Sequence, residues 1–171
     1  GKVLLTLFFQ NSNLLLAFLR DHNTARSVLD VFNDLYAMFG RETYCRLFPV
    51  ILTDRGSEFS NPVPIEQDEN GELRSLVFYC NPSAPYQKGG IEVAHELVRR
   101  VLPKGKSFDD LQQEDIDLML SHINSYKRGK LNSRSAYQLF SFIYGDDILP
   151  KLNIHEIEPN DIVLSTKLLK K

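Results

Sequence analysis

The sequence predicts an α/β fold, and three observations support that class. Two apolar runs, residues 2–9 and 14–19, flank a polar turn, which is the pattern of two strands joined by a hairpin. Several later segments repeat apolar residues at a spacing of three and four, as amphipathic helices do. A third apolar run, residues 50–52, ends abruptly at Asp54, as a strand that meets solvent does. The chain is therefore expected to contain both strands and helices.

The remaining elements follow from local signals. Thr24 is a good N-cap for a helix that runs to about Phe39, and Gly40 is its natural stop. The next strand is expected over Arg46 to Thr53 and would be buried. Further along, the pattern predicts a loop or hairpin turn at 61–73, a strand at 75–80, and helices at 90–102, at 113–126 and from Ser135 to about 145.

The composition limits the class of protein. A chain of 171 residues with 43% hydrophobic and 25% charged residues is an ordinary globular chain with room for one core. Cys45 and Cys80 stand apart, without a Cys-x-x-Cys pair, which argues against a zinc site or a disulfide scaffold and favours a reducing cytosol. The polar residues 10–13 split the apolar N-terminal region into pieces too short to cross a membrane.

Two motifs carry the most chemical information. The first, Thr-Asp-Arg-Gly-Ser-Glu-Phe at 53–59, places Asp54 at the carboxyl end of a strand. The second, Pro-Tyr-Gln-Lys-Gly-Gly-Ile-Glu at 85–92, places Glu92 in the first turn of a helix, on the face away from its apolar stripe. A lone strand-end Asp is as often a simple turn residue. The order of the two motifs and the 38 positions between the acids are more specific.

Together the motifs closely resemble the integrase core of DDE transposases and retroviral integrases. The likeness is greatest to the bacterial insertion-sequence-thirty family of transposases, which also has Leu-Pro-Lys-Gly after the glutamate helix, as at 102–105 here. The resemblance runs from about residue 3 to about residue 145. It implies a ribonuclease-H-like fold, a mixed sheet flanked by helices. We assign 1–145 to this integrase-like catalytic core and 146–171 to a C-terminal tail of unclear role.

The resemblance also implies metal-dependent cleavage and transfer of DNA strands. Asp54 and Glu92 would be the second and third acids of the catalytic triad and would bind Mg²⁺ or Mn²⁺, with two ions in the complete site. In the resembled family the first Asp lies on a strand before the hairpin, but no acid precedes Asp21 here. We therefore expect an N-terminally truncated core that lacks this strand and acid. Arg55 replaces the Asn usual in the motif; its charge would repel a metal ion and favours a phosphate contact.

Candidate DNA contacts come from local charge, because the net charge of −2 gives no general basic surplus. Basic residues concentrate in 86–106 and in 124–134, and the second stretch contains no acid. Each basic residue in these stretches could equally be a solvated side chain that does not contact DNA. Glu96 is expected to pair with Arg99 or Arg100, and His95 to be a partly buried helix residue rather than a metal neighbour. The DNA-binding candidates are Arg55, Gln87, Lys88, Arg99, Arg100, Lys127, Arg128 and Lys130.

Three functions stay open at this point. The leading one is the catalytic core of a DDE transposase that acts on transposon ends and target DNA. It would work as a homo-oligomer on DNA in the bacterial cytoplasm, at the nucleoid and away from membranes. The alternative is a non-catalytic, truncated transposase fragment that binds DNA or a full-length partner. A third is a ribonuclease-H-like nuclease of other purpose. Metal binding and strand transfer distinguish the first from the second, and cleavage of RNA–DNA hybrids would indicate the third.

Overall fold

Residues 1–80 and 90–170 are described by the structure, a computed structural model, and they have the predicted mixed α/β character. The strands of this part of the chain pair two by two, as β1–β2, β3–β4 and β5–β6, rather than in one mixed sheet. Two compact units are present: Gly1–Leu19 with Gly89–Lys171, and Arg20–Lys88. The elements are β1 (Val3–Phe9), β2 (Leu14–Arg20), α1 (Ala25–Leu47), β3 (Val50–Thr53), α2 (Val63–Glu66), β4 (Leu76–Tyr79), α3 (Ile91–Val101), α4 (Gln113–Ser125), β5 (Lys127–Arg128), β6 (Arg134–Ser135), α5 (Ala136–Tyr144) and α6 (Ile148–Lys151).

In the first unit, helix α4 closes one edge of strand β2 with its side chains. The Asn124 amide accepts the N–H of Leu15 at 2.9 Å and donates to the carbonyl of Leu15 at 2.8 Å. The Gln113 amide accepts the N–H of Leu19 at 2.9 Å and donates to the carbonyl of Ala17 at 3.1 Å. Buried backbone groups need such partners, so α4 is fixed to β2 by directional bonds as well as by apolar packing.

Helix α1 of the second unit begins and breaks where the sequence predicts. Thr24 accepts the N–H of Ser27 at 3.2 Å, and Gly40 leaves the helical conformation with φ of 77°. The chain then resumes the helix as far as Leu47, so the strand predicted from Arg46 is wrong over 46–49. The cause is packing: the fully buried Tyr44 ring contacts the rings of Tyr36 and Phe48, with centroid distances of 5.1 and 5.0 Å.

Strands β3 and β4 run parallel and present an apolar strip to solvent. Val50 lies opposite Leu76, and Leu52 lies opposite Phe78. All four side chains are exposed, and only Thr53 of β3 is buried. The expectation of a buried strand at 50–52 is therefore wrong, because alternate residues of β3 point to the exposed face.

The helices of the C-terminal half confirm their sequence signals. Helix α3 occupies 91–101, and α5 starts at the predicted cap Ser135, whose hydroxyl accepts the N–H of Gln138 at 3.1 Å. The short elements α2, β5, β6 and α6 have no counterpart among the predicted elements. The domain division at residue 145 stays a prediction. None of the helices in the described residues is long and apolar enough to cross a membrane.

Candidate functional site

Asp54 follows β3 directly and is held at a tight turn. The preceding Thr53 is buried, whereas Asp54 is exposed, as predicted. Its Oδ1 atom accepts the N–H of Gly56 at 3.0 Å. A Cβ atom added at Gly56 would lie 2.9 Å from Oε2 of Glu58 and 3.0 Å from Oδ1 of Asp54. Two carboxylates therefore border the glycine, and a side chain there would fill the space beside them.

Arg55 is directed toward the neighbouring strand. Its guanidinium carbon lies 5.8 Å from the centre of the Tyr79 ring, within the range of a cation–π contact. Tyr79 is the parallel partner of Thr53, and its hydroxyl donates to the carbonyl of Phe59. The ring is thus fixed to the turn that carries Asp54. The phosphate contact of Arg55 stays a prediction.

Glu92 lies in the first turn of α3 and is exposed, which confirms that it points away from the core of its helix. The free N–H groups at a helix start favour a negative side chain there. Gly90 precedes the helix with φ of 88°. A Cβ atom at Gly90 would lie 2.8 Å from Oδ1 of Asn13 and 3.1 Å from Cζ of Phe8. The start of the helix therefore packs closely on the β1–β2 hairpin.

The two acids belong to different compact units, Asp54 to the second and Glu92 to the first. Their approach to each other stays a prediction, and Gln87 and Lys88 lie outside the described residues. Within 1–80 and 90–170, no three His, Cys, Asp or Glu residues gather into a ready-made metal site. The donors at Asp54 and Glu92 are nevertheless carboxylate oxygens, which suit Mg²⁺ and would leave most of its coordination to water.

The end of α3 carries the expected charges. Arg99 and Arg100 are exposed in its last turn, and Nη2 of Arg100 lies 3.7 Å from Oε1 of Glu96. This ion pair confirms the role predicted for Glu96. The expectation that His95 is partly buried is wrong. The residue is exposed because it lies on the same exposed side of α3 as Glu96. Its Nε2 atom lies 3.3 Å from the hydroxyl of Thr6.

The basic stretch after α4 forms a short antiparallel ribbon. Lys127 and Lys130 are exposed, whereas Arg128 is half-buried and lies opposite Arg134. Like charges directly opposite each other repel. Among the described residues, the buried Nε and Nη2 atoms of Arg128 hydrogen-bond to nothing, and burial lowers the pKa of its guanidinium. The ribbon therefore brings together four basic residues, Lys127, Arg128, Lys130 and Arg134, in a stretch whose sequence contains no acid.

The segment after residue 154 has no predicted role, yet three side chains of α4 hold it in place. Ser121 accepts the N–H of His155 at 3.0 Å, His122 that of Val163 at 3.0 Å, and Ser125 that of Ile157 at 2.9 Å. All three of these α4 residues are buried. Polar residues on the buried side of an otherwise apolar helix were the available signal.

No protein-family model matches the chain. Among curated proteins, the candidate integrase ORF3 of Spiroplasma virus SpV1-R8A2 B is 30% identical over 139 residues, which is 81% of this chain and 41% of that protein. The chain is similar to integrases and transposases. The resemblance inferred from the two acidic motifs is thereby confirmed.

Two transposases extend this result. The transposase for insertion sequence element IS1086 of Cupriavidus metallidurans is 33% identical over 76 residues, 43% of this chain and 22% of that transposase. Transposase InsI for insertion sequence element IS30A of Escherichia coli (strain K12) is 27% identical over 63 residues, 37% of this chain and 16% of InsI. The likeness to the insertion-sequence-thirty type is therefore also found. The chain spans less than half the length of each of these relatives.

Proposed function

We propose that this chain is the catalytic core of a DDE transposase or integrase, which cuts and joins DNA strands with the help of divalent metal ions. The observation that carries the proposal is an exposed Asp54 at the end of a strand in a parallel pair, followed in the chain by an exposed Glu92 at the start of a helix. The integrase and transposase relatives support it. In this proposal the fold is ribonuclease-H-like.

The chain's own residues would position the reacting groups. Asp54 and Glu92 would hold Mg²⁺ or Mn²⁺, and two ions in the complete site would supply a polarised nucleophile and neutralise charge on the leaving oxygen. Asp54 is preorganised because its carboxylate is tied to the N–H of Gly56 at 3.0 Å. Glu92 is preorganised because Gly90 packs the start of α3 against the hairpin.

The proposed partners are transposon ends and target DNA, held by phosphate contacts. Arg55, Arg99, Arg100, Lys127, Arg128 and Lys130 would make these contacts, with Gln87 and Lys88 as further candidates. We further propose that the protein acts as a homo-oligomer on DNA, at the nucleoid of the bacterial cytoplasm.

Iron-directed backbone cleavage tests whether the two acids share a metal. Fe²⁺ that replaces Mg²⁺ generates hydroxyl radicals in the presence of ascorbate and peroxide, and these radicals cut the nearest backbone. We expect cuts near residues 54 and 92 that excess Mg²⁺ suppresses and that Asp54→Asn abolishes. Glu114→Gln, which alters an exposed acid in the first turn of α4, should keep both cuts. Cuts near one acid alone, or an unchanged pattern in Asp54→Asn, would contradict the shared site.

Strand chemistry tests the function itself. The longest chain that the gene encodes is incubated with supercoiled DNA and Mn²⁺, and nicked product is measured. Asp54→Asn and Glu92→Gln should each reduce nicking to background, whereas Glu114→Gln should not. DNA binding with no metal-dependent nicking would favour the non-catalytic alternative. Preferred cleavage of an RNA–DNA hybrid would favour the nuclease.

A further inference from the structure

A pocket of about 330 Å³ lies in the first unit, outside the acidic motifs. One side of it is cationic and aromatic, formed by Arg100 at the end of α3 and by Tyr126 and Lys127 just after α4. The other side is apolar and comes from the C-terminal segment. The lining residues on that side are Pro159, Ile162 and Leu164. We call it the C-terminal pocket.

The apolar wall of this pocket is fixed rather than loosely attached. The backbone N–H groups of residues 155, 157 and 163 donate hydrogen bonds to buried α4 side chains, two of them just before the wall and one between Ile162 and Leu164. Residues of α4 thus support one wall, and the chain that leaves α4 provides the other. Ligand pockets are usually largely formed before a ligand arrives, and these bonds would hold the wall in place.

The charged groups of the pocket are available to an anion. Arg100 and Glu96 form an ion pair at 3.7 Å, but their side chains are 48% and 68% exposed, and such exposed pairs contribute little. A phosphate can therefore compete for the guanidinium. Lys127 is exposed and begins the ribbon in which Arg128 and Arg134 face each other. Arg100 and Lys127 thus give the pocket two cationic groups that can contact a negatively charged ligand.

The volume of the pocket and its aromatic and apolar lining indicate which class of anionic ligand fits it. A volume of about 330 Å³ is at the lower end for small-ligand sites, which suits a single nucleotide and excludes a duplex. Tyr126, 39% exposed, has an aromatic ring on which a base can stack, and Pro159, Ile162 and Leu164 line the same pocket. A bare phosphate would use Arg100 and Lys127 but leave the aromatic and apolar lining unused.

We propose that the C-terminal pocket binds one unpaired nucleotide of a DNA strand. Its phosphate contacts Arg100 and Lys127, and its base packs against Tyr126 and the apolar wall. This inference rests on the proposed function, since it names a place where a DNA strand would leave the duplex. The acids Asp54 and Glu92 take no part in it.

Fluorescence anisotropy with a labelled thymidine 12-mer tests the proposal, with a blunt duplex and an abasic 12-mer as comparison probes. Tyr126→Ala should weaken binding of the single strand about tenfold, because base stacking is lost, and should change duplex binding less than about twofold. Tyr126→Phe should bind normally, since the ring and not the hydroxyl is used. Arg100→Ala and Lys127→Ala should each lower the salt slope for the single strand by about 0.7.

Control variants distinguish an effect of the pocket itself from a general loss of positive charge and from misfolding. Lys104→Ala and Lys151→Ala remove exposed cations that do not line the pocket, and both should bind the 12-mer normally. Leu164→Trp keeps every charge but narrows the pocket and should also weaken single-strand binding. Thermal melts confirm that each variant is folded.

Three results would overturn the inference. Equal affinity for the abasic and normal 12-mers would mean that only phosphate is bound. Equal losses of duplex and single strand in Tyr126→Ala would mean a general DNA surface. Displacement of the 12-mer by an acidic peptide as readily as by unlabelled DNA would indicate a protein partner. Failure of the proposed catalytic function is distinguishable, because it would remove iron-directed cleavage at residues 54 and 92 and leave single-strand binding intact.

Discussion

The Nδ1 atom of His122 accepts the backbone N–H of Val163 at 3.0 Å. His122 is buried in α4, and Val163 lies between two residues that line the C-terminal pocket. A ring nitrogen that accepts an N–H carries no proton, so the imidazole is neutral with its proton on Nε2. Burial lowers the pKa of His122 from its ordinary value, in agreement with this state.

The first prediction is that the chain loses stability in mild acid through His122. In the unfolded chain the imidazole takes up a proton near its ordinary pKa of about 6.5, whereas the folded chain takes it up only at lower pH. The unfolded state therefore binds more protons as the pH falls below that value, and the free energy of unfolding decreases. Urea unfolding at pH 7.5 and 5.5 measures this loss.

A variant isolates the contribution of that ring. His122→Gln can still accept the N–H of Val163 but does not titrate, so its stability should vary less between the two pH values. His22→Gln, which removes an exposed histidine, should keep the pH dependence of the parent chain. The same pH dependence in His122→Gln as in the parent would show that other groups cause it.

The second prediction distinguishes two ways in which a side chain at Gly90 would lower stability: backbone strain and steric contact. Gly90 and Gly105 have nearly equal φ angles, 88° and 89°, but they differ in their surroundings: a Cβ atom at Gly90 meets close neighbours, whereas one at Gly105 meets none of the described residues within 4 Å. Gly105→Ala should therefore cost only the left-handed backbone strain, about 1–2 kcal/mol. Gly90→Ala should cost more, because Asn13 and Phe8 must also move. Equal losses in thermal melts of the two variants would show that the hairpin yields freely.

The third prediction concerns Asn124, whose side chain is fully buried. Asn124→Ala leaves the N–H and the carbonyl of Leu15 buried without their partners, at a cost of about 2–4 kcal/mol in the free energy of unfolding. Hydrogen exchange gives a local readout, since the Leu15 amide should lose protection before the rest of β2. Asn160→Ala, at an exposed position, should change neither measurement. Normal protection of the Leu15 amide in Asn124→Ala would contradict this assignment.

The fourth prediction concerns duplex DNA and uses basic residues outside the C-terminal pocket. Arg99→Ala and Lys130→Ala should each reduce the slope of log affinity against log salt by about one, because each removes a phosphate contact. Arg26→Ala, which removes an arginine paired with Asp30 at 3.0 Å in α1, should leave the slope unchanged. Unchanged slopes in all three variants would show that Arg99 and Lys130 are a solvated surface.

Features that depend on nearby residues could be predicted from the sequence. Thr24 and Ser135 cap helices through contacts three residues away, and Gly40 breaks a helix through its own backbone conformation. The exposed positions of Asp54 and Glu92 also follow from local patterns, one from a strand end and one from a helix face. These short-range rules require no knowledge of the rest of the chain.

Features that depend on distant packing could not be predicted. The β-prone stretch around Tyr44 is helical because three aromatic rings pack together across that part of α1. The C-terminal segment has no side-chain periodicity, because its attachment uses backbone N–H groups that every sequence carries. The approach of Asp54 to Glu92 would be a long-range relationship of the same kind, and it stays a prediction that experiment must test.

The amide side chains of Gln113 and Asn124 also limit where a further strand can join the β1–β2 sheet. They occupy the backbone groups of Leu15, Ala17 and Leu19, the positions that a third strand beside β2 would use. An incoming strand, from this protein or from another copy, would have to displace α4 to pair there. A further strand must therefore pair along β1, because α4 blocks this edge of β2.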